Sequence, residues 1–273
     1  MPELPEVEVL RRSLEPRLLG RRVERVEVLA PALREPLERR KLAALAGRRF
    51  VRLARRAKYL LADLEGERTL VVHLGMSGRL TLVPGGTPRE AHEHLALHLD
   101  SGERLRLRDP RRFGLAFAVP TGRIAADRHL AGLGVEPLSG ELDGARLAAA
   151  ARGRRGPVKS FLLDGRIVAG VGNIYACEAL FRAGIRPDRS VARLAAARWE
   201  RLAAALVEVL AEAIEAGGTT LNDFADGAGR EGLFQVALAV YGRAGEPCPR
   251  CGRTIRRTEL AGRGTFDCPG CQR

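Results

Sequence analysis

The first residues after the initiator methionine bring together a potential nucleophile and a potential acid–base group, Pro2 and Glu3. If Met1 is trimmed, Pro2 carries a secondary α-amino group, which titrates near pH ~7.7–8.0 and is therefore partly unprotonated at neutral pH. Such amines attack electrophilic carbons and form Schiff bases, and the adjacent carboxyl group could transfer protons. The same residues could instead only start a helix, which is the commoner use of proline and acidic residues in such a stretch.

Four of the five cysteines form two Cys-x-x-Cys pairs near the end of the sequence, Cys248 with Cys251 and Cys268 with Cys271. Two pairs at this separation predict a tetrahedral zinc site with four thiolate ligands. Disulfides are the alternative, and they would require an oxidising compartment. Because a closed four-cysteine site leaves no coordination position for a substrate, we expect one structural Zn2+ that takes no part in the chemistry.

The residues between the two cysteine pairs predict a β-hairpin with strands Thr254–Leu260 and Arg263–Asp267. This hairpin would hold Arg256, Arg257 and Arg263 together beside the metal. Guanidinium groups suit phosphate recognition because their planar fork matches phosphate oxygens. The hairpin is therefore predicted to be a phosphate-binding finger and not a catalytic centre.

The whole chain is basic, with a formal net charge of +13. This balance predicts a polyanionic partner, most simply nucleic acid, although a solvated basic surface gives the same count. Only three of the 46 basic residues are lysines, namely Lys41, Lys58 and Lys159. A lysine kept in such a chain can mark a position where a guanidinium that never loses its proton would fail. Chance is the alternative, and we accept it for Lys41, which lies in a charged run.

A glycine-rich turn precedes a predicted helix in the second half of the chain. Gly170 and Gly172 would let a phosphate approach the N–H groups of a helix that begins near Asn173, which could cap that helix or donate a hydrogen bond. Lys159, fourteen residues upstream on a preceding helix, would add a second phosphate contact. An ordinary corner between two helices is the alternative.

Two tight turns in the first half each carry an apolar side chain. In the turn His73–Gly78, glycines leave little to pack Met76, which could act as a wedge between base pairs; core filling is the alternative. The turn Asp109–Gly114 carries Arg111 and Phe113. A cation and an aromatic ring together suit filling a gap in a base stack.

Hydrophobic spacing divides the chain into a first part of strands and a second part of helices. Residues 5–19 carry apolar side chains at helical spacing, and Gly20 would end that helix. Eight short runs punctuated by Gly, Pro and Asp predict an antiparallel sandwich or barrel that extends to about Pro120. The runs are Val23–Leu29, Arg48–Ala54, Tyr59–Leu64, Leu70–Leu74, Arg79–Val83, Leu95–Leu99, Arg104–Leu107 and Leu115–Val119.

The character of the sequence changes after this β region. Residues 121–138 predict a linker, residues 140–217 are rich in Ala, Leu and Arg at helical spacing, and 191–216 predict one long helix. The polar segment 219–232 predicts a surface loop. With no apolar run long enough to span a bilayer and no signal-like start, we expect a cytoplasmic protein.

Taken in order, these motifs resemble those of formamidopyrimidine-DNA glycosylases. The resemblance is collinear and covers the whole chain. The start and the Gly-Met-Ser-Gly motif favour this family over its endonuclease VIII relatives, which usually begin Pro-Glu-Gly-Pro-Glu. The matching motifs are the start Pro-Glu-Leu-Pro-Glu-Val-Glu, Ala57-Lys58-Tyr59-Leu60, His-Leu-Gly-Met-Ser-Gly, Asp-Pro-Arg-Arg-Phe-Gly, Leu162-Leu163-Asp164 with Gly-Val-Gly-Asn-Ile-Tyr, Tyr241-Gly242-Arg243 and the four cysteines.

The resemblance implies an α+β multidomain protein. It would have an N-terminal antiparallel β-sandwich with an N-terminal helix, then a helical helix-two-turn-helix domain and a C-terminal zinc-finger hairpin. We expect these domains at residues 2–120, 121–240 and 241–273. The implied activity is that of a bifunctional DNA glycosylase and AP lyase, a monomer that acts on double-stranded DNA containing oxidised bases and holds one structural Zn2+.

The resemblance also implies a role for individual residues. Pro2 would attack the sugar C1′ of an extruded nucleotide carrying 8-oxoguanine or a formamidopyrimidine, and Glu3 would move protons at the sugar ring and the Schiff base. Lys58 would contact a phosphate and assist strand cleavage by β,δ-elimination, while Arg263 would grip a phosphate and donate a proton in δ-elimination. Three side chains, those of Met76, Arg111 and Phe113, would fill the space that the flipped base leaves. The full set expected to bind DNA is Met76, His92, Arg111, Phe113, Arg154, Lys159 and Asn173.

The chain departs from the family pattern at several positions. Cys177 stands where Asp or Ser is frequent and is expected to be a packed thiol, Ala57 replaces a frequent Gly, and Asp267 replaces a common aromatic. The segment 222–232, which covers the damaged base in the family, is short and atypical. Two alternatives therefore stay open: an oxidised-pyrimidine glycosylase of the endonuclease VIII type, and a non-catalytic zinc-finger protein that binds damaged DNA.

Overall fold

The computed structural model describes residues 2–218 and 238–273. These residues form two compact units. The first comprises residues 2–131 and 216–218, and the second comprises 132–215 and 238–273. The predicted loop 219–232 lies outside the described residues. Within the described ranges, no helix has both the length and the apolar character needed to cross a membrane.

The first unit begins with helix α1 (Leu4–Leu18), which agrees closely with the predicted helix. Val7, Leu10, Leu14 and Leu18 are buried in the core. Their spacing of three or four residues places them on one face of the helix. That face packs against the strands that follow, and so fixes the position of the chain start.

In the described part of the first unit, eight antiparallel strands form two four-stranded sheets. The strands are β1 (Val23–Val28), β2 (Phe50–Arg56), β3 (Tyr59–Leu64), β4 (Arg68–His73), β5 (Arg79–Pro84), β6 (Glu93–Leu99), β7 (Glu103–Arg108) and β8 (Leu115–Pro120). The order of strands is β1-β6-β7-β5 in one sheet and β2-β3-β4-β8 in the other. A short helix that the sequence did not predict, α2 (Arg39–Ala43), lies between β1 and β2.

The two sheets share one hydrophobic core. Alternate residues of β3, such as Leu60 and Leu64, lie in the same buried cluster as Leu95 and Leu97 of the other sheet. Residues two apart in a strand point to the same face, so each sheet turns an apolar face toward this cluster. The fold is therefore the sandwich, not the barrel, of the two predicted possibilities.

The second unit is helical and ends in a hairpin. Its helices are α3 (Gly144–Ala151), α4 (Val158–Leu162), α5 (Asn173–Ala183) and α6 (Ala196–Glu215), and its hairpin strands are β9 (Arg256–Leu260) and β10 (Arg263–Asp267). The helix predicted over 191–216 is shorter than expected. Val191–Arg193 form a 3-10 turn, because the N–H of Val191 donates to Gly156 and Leu194 is extended, so α6 begins only at Ala196.

The predicted linker 121–138 is more structured than the sequence suggested. Thr121–Ala126 form a 3-10 helix, and the His129 ring packs on Phe117 with centroids 5.0 Å apart. The imidazole of His129 also hydrogen-bonds to Asp127 at 2.9 Å and to Glu35 at 3.2 Å. These contacts fasten the first part of the segment to the sandwich.

Candidate active site and nucleic-acid contacts

Pro2 and Glu3 lie directly before α1, and both are buried. Glu3 is the N-cap residue: its side chain accepts a hydrogen bond from the Glu6 N–H, and Glu6 Oε2 accepts one from the Glu3 N–H at 2.7 Å. This reciprocal capping box satisfies two N–H groups that a helix start otherwise leaves without a partner. These residues therefore do start a helix, as the alternative interpretation of the sequence expected. It also holds a carboxyl group in one place beside the candidate nucleophile.

Lys58 lies in the two-residue turn between β2 and β3. The preceding Ala57 has φ +52°, a left-handed conformation that glycine adopts more easily than alanine. Arg55 joins this turn to α1, because its guanidinium donates to Glu8 Oε2 at 3.3 Å and to the Ala57 carbonyl at 3.0 Å. The helix that follows the candidate nucleophile is thus fastened to the turn that carries the candidate lysine.

An imidazole that sequence reasoning missed lies near this turn. His73 ends β4; its ring centroid is 4.7 Å from that of Tyr59, and its Nδ1 accepts a hydrogen bond from the Gly75 N–H at 3.0 Å. Burial, followed by the charges of Lys58 and Arg34, lowers the pKa of His73 to about 4. The ring is therefore neutral at pH 7, with its proton on Nε2. The one signal in the sequence was its place at the start of a glycine-bracketed turn.

Two turns that we call the wedge turns, residues 74–78 and 109–114, lie side by side. They connect β4 to β5 and β7 to β8, and they meet because β4 pairs with β8 and β5 pairs with β7. A Cβ added to Gly75 would lie 2.4 Å from the carbonyl carbon of Phe113. Met76 and Phe113 are 37% and 45% exposed, two of four large apolar side chains exposed in the described part of the chain. Arg111 lies over the Phe113 ring, 5.0 Å from its centroid.

His92 and Arg154 are both exposed, as their predicted DNA contacts require. His92 follows the loop after β5 and has φ +65°, a conformation uncommon for a residue other than glycine. Arg154 lies in the second unit, in the basic loop before α4, with Nη1 3.6 Å from Asp164. His92 therefore lies in the first unit and Arg154 in the second, each in the same unit as other residues predicted to contact DNA.

Asn173 and Lys159 both bind the finger hairpin. Asn173 does not cap α5, whose N-cap residue is Gly172; instead its Nδ2 donates to the Gly264 carbonyl at 2.9 Å. Lys159 is only 1% exposed, and its ammonium donates to Thr265 Oγ1 at 2.7 Å and to the Gly264 carbonyl at 3.2 Å. A buried charge needs such partners. This differs from the expected phosphate contact, because the finger covers the ammonium.

Lys159 is therefore expected to stabilise the finger. A Lys159→Met variant keeps the apolar length of the side chain but removes three donors, and we expect its free energy of unfolding to fall by about 1–3 kcal/mol. Hydrogen exchange of residues 263–267 should become faster, because their anchor is lost. Lys41→Met is the matched control, since Lys41 is exposed and bonds to Glu38 at its own helix start. Equal denaturation midpoints for the two variants would contradict this interpretation.

The finger hairpin turns through Ala261 and Gly262, which have φ +51° and +70°. Two successive positive φ values are typical of the two-residue turns that match strand twist. Arg263, the first residue of β10, is exposed beside this turn. Arg256 instead pairs with the buried Asp267 at 2.6 Å, which gives the unusual Asp267 a structural role.

The four cysteines predicted to bind zinc converge beside the hairpin. All four Sγ atoms lie within 4.8 Å of one another, with Cys248 and Cys271 at 3.8 Å and Cys251 and Cys268 at 3.5 Å. A tetrahedral zinc with Zn–S bonds of ~2.3 Å gives S···S edges of about 3.8 Å, whereas a disulfide needs ~2.05 Å. The donor set and its spacing therefore fit one structural Zn2+.

Three family models match the chain. The formamidopyrimidine-DNA glycosylase N-terminal domain matches residues 1–116, the formamidopyrimidine-DNA glycosylase H2TH domain matches 133–225, and the zinc finger found in FPG and IleRS matches 245–273. The resemblance seen in the motifs, and the sandwich, helix-two-turn-helix and zinc-finger architecture that it implied, are thereby confirmed.

Individual relatives match over nearly their whole length. The formamidopyrimidine-DNA glycosylase of Halorhodospira halophila is 53% identical over 273 residues, which covers 100% of both chains. The structure of the MutM (Fpg) protein from Thermus thermophilus has a TM-score of 0.90 and 44% identity, covering 99% of this chain and 98% of that one. A complex of Lactococcus lactis Fpg (MutM) with Fapy-dG-containing DNA has a TM-score of 0.92 and 33% identity, covering 99% of this chain and 100% of that one.

Proposed function

The chain belongs to the formamidopyrimidine-DNA glycosylase family, and from that premise we propose that it is a base-excision-repair enzyme. It removes oxidised purines, 8-oxoguanine and formamidopyrimidines, from double-stranded DNA and then cleaves the strand. One observation carries this proposal: a capping box fixes the buried carboxyl group of Glu3 beside Pro2, whose nitrogen becomes a free amine when Met1 is removed.

Pro2 is the nucleophile in this proposal. Its unprotonated nitrogen attacks C1′ of the damaged nucleotide, the glycosidic bond breaks, and the base leaves with the electron pair and takes up a proton. The nitrogen then loses its proton, the C1′–O4′ bond breaks with uptake of a proton by O4′, and the opened sugar is left as an iminium ion. Because proline is a secondary amine, this ion has no N–H to lose and stays positively charged. The carboxylate of Glu3 stabilises that charge and moves protons at the sugar ring.

Strand cleavage follows from the same intermediate. The iminium withdraws electrons and acidifies the C2′ hydrogen, so β-elimination expels the 3′ phosphate and δ-elimination expels the 5′ phosphate. Lys58 and Arg263 supply positive charge and protons to these phosphates. The partly buried position of Lys58 in a fixed turn and the exposure of Arg263 beside the finger turn support these roles.

The proposed DNA contacts are of two kinds. Met76, Arg111 and Phe113 fill the gap left by the extruded nucleotide, whose unstacking costs a few kcal/mol. The other contacts hold the backbone and are His92, Arg154 and Asn173, with Lys159 acting through the finger that it anchors. We further propose three functional domains: the catalytic sandwich at residues 2–120, the linker with the helix-two-turn-helix domain at 121–240, and the zinc finger at 241–273. We also propose action in the cytoplasm, where thiolate ligands stay reduced.

Borohydride trapping tests this function. Purified protein is reduced on a duplex with 8-oxoguanine opposite cytosine, and the cross-linked peptide is mapped by mass spectrometry. We expect strand cleavage and an adduct at Pro2. An adduct only with a thymine glycol duplex would replace the proposed substrate by oxidised pyrimidines. No adduct with any duplex, from zinc-loaded protein that lacks Met1, would leave a non-catalytic DNA-binding protein.

A further inference from the structure

Asp109 joins the two wedge turns through its side chain. Its carboxylate is 0% exposed; Oδ1 accepts a hydrogen bond from the Ser77 hydroxyl at 2.6 Å, and Oδ2 accepts one from the Gly114 N–H at 2.8 Å. Ser77 follows Met76, and Gly114 follows Phe113. One buried carboxylate therefore holds the backbone directly beside both apolar side chains.

The backbone of Asp109 extends this network to a third loop. Its N–H donates to the His92 carbonyl at 2.9 Å. Its carbonyl accepts from the Nε2–H of the buried His94 at 2.8 Å and from the Arg112 N–H at 3.2 Å. Three segments proposed to contact DNA thus meet at one residue, which itself has no exposed surface to contact DNA.

Ser77 connects the network to the cation of the wedge turns. Its hydroxyl, which donates to Asp109, accepts a hydrogen bond from the Arg111 N–H at 3.2 Å. The turns also approach closely at their glycines. A Cβ on Gly114 would lie 2.9 Å from the His73 carbonyl oxygen and 3.0 Å from Asp109 Oδ2. The position of the Arg111 backbone is therefore set from the same carboxylate.

Rigidity matters for a side chain that enters a base stack. A flexible turn would lose conformational freedom on insertion, and that loss would subtract from the binding energy that offsets nucleotide extrusion. Arg112 has φ +56°, a conformation that persists only when its surroundings hold it. The hydrogen bond from its N–H to the Asp109 carbonyl is one such restraint.

We propose that Asp109, acting through Ser77 and Gly114, is a positioning residue that presents Met76, Arg111 and Phe113 as one rigid wedge before DNA binds. This inference rests on the proposed function, because it assumes that these side chains enter the duplex. It assigns Asp109 no contact with the reacting atoms. Its effect is confined to substrates in which a stacked nucleotide must be extruded.

The test compares a duplex with a single strand. Asp109→Asn keeps the shape of the side chain but removes its charge and one acceptor, and Ser77→Ala removes one arm of the network. We expect each variant to slow single-turnover excision of 8-oxoguanine from a duplex by about tenfold or more, the effect of losing a hydrogen bond to a charged group. Borohydride trapping on a single-stranded abasic oligonucleotide should stay close to wild type, since no stacked nucleotide must be extruded.

Asp63→Asn is the matched control. Asp63 accepts a hydrogen bond from the Thr69 hydroxyl at 2.6 Å, the same kind of contact elsewhere in the sandwich, so this variant should excise at the wild-type rate. A double-mutant cycle introduces Asp109→Asn into the Met76→Ala variant. There Asp109→Asn should slow excision much less than it does in the wild-type protein, because the two residues act together.

Equal slowing of both substrates by Asp109→Asn, or full additivity with Met76→Ala, would overturn the proposal and leave a purely structural role. Excision by the Asp109→Asn variant at the wild-type rate would also overturn the proposal for Asp109, but it would leave the proposed function unaffected. An inactive wild-type protein would instead reject the proposed function, and this inference with it.

Discussion

Replacing Pro2 with Gly is expected to slow excision of 8-oxoguanine from a duplex by about a hundredfold or more, the effect of misplacing a reacting group by about 1 Å. Glycine also offers an α-amino group, but that group rotates freely about the N–Cα bond, whereas the proline ring prevents this rotation and so fixes the direction of the nitrogen lone pair. The primary amine also gives an imine that must be protonated before it withdraws electrons. The loss of orientation slows attack at C1′ and therefore excision, whereas the neutral imine slows the β-elimination that follows.

The measurement is single-turnover excision, with borohydride trapping on the same duplex. Pro16→Ala is the matched control, because Pro16 is an exposed proline within the same helix and has no amine to offer. That variant should trap like wild type. If Pro2→Gly kept full cleavage of the oxidised-purine duplex, Pro2 would not be the nucleophile.

Loss of zinc is expected to unfold the finger and to abolish DNA cleavage while the sandwich stays folded. Structural zinc contributes roughly 10–16 kcal/mol of apparent binding energy in zinc-finger peptides. The other polar contacts that hold the hairpin, from Lys159 and Asn173 to Gly264 and Thr265, contribute only about 1–3 kcal/mol each. The sandwich has its own core, shared by both sheets and α1. A Cys268→Ser variant, or a chelator at neutral pH, should produce this result because either removes thiolate coordination.

Metal content and hydrogen exchange measure the outcome. We expect the Cys268→Ser variant to lose its zinc and to exchange residues 256–267 rapidly, with unchanged protection in the sandwich strands. Cys177→Ser is the matched control: Cys177 is buried outside the four-thiol cluster, so this variant should keep one zinc per chain. Retention of zinc and of finger protection by Cys268→Ser would reject the four-thiolate site.

Local patterns determined much of the fold. All eight strands of the sandwich were predicted within a few residues, and β3 (Tyr59–Leu64) was predicted with its observed bounds. Alternation along a strand and the spacing of cysteines depend on neighbours in the chain, so they can be read without knowing the fold. The candidates Pro2, Lys58, Met76 and Phe113 were likewise visible because unusual residue types stood in short motifs.

Tertiary structure alone decided which polar groups meet inside the protein. Lys159 was expected to reach a phosphate, but it bonds to Thr265, 106 residues further along the chain. Ser77 and Asp109 are 32 residues apart and lie in the two turn motifs recognised in the sequence. A role could be predicted there only for their exposed neighbours Met76, Arg111 and Phe113.

The physical reason is that these contacts arise from strand pairing. The pairing of β4 with β8 places His73 opposite Leu115, and the pairing of β5 with β7 places Arg79 opposite Arg108. Together these pairings bring the two wedge turns side by side. Burial then makes a partner obligatory for each polar atom, since a buried polar group without a hydrogen bond is costly. The sequence by itself determined the family, the strands and the metal ligands. The pairing of the sheets decided how the side chains that would enter DNA are held in place.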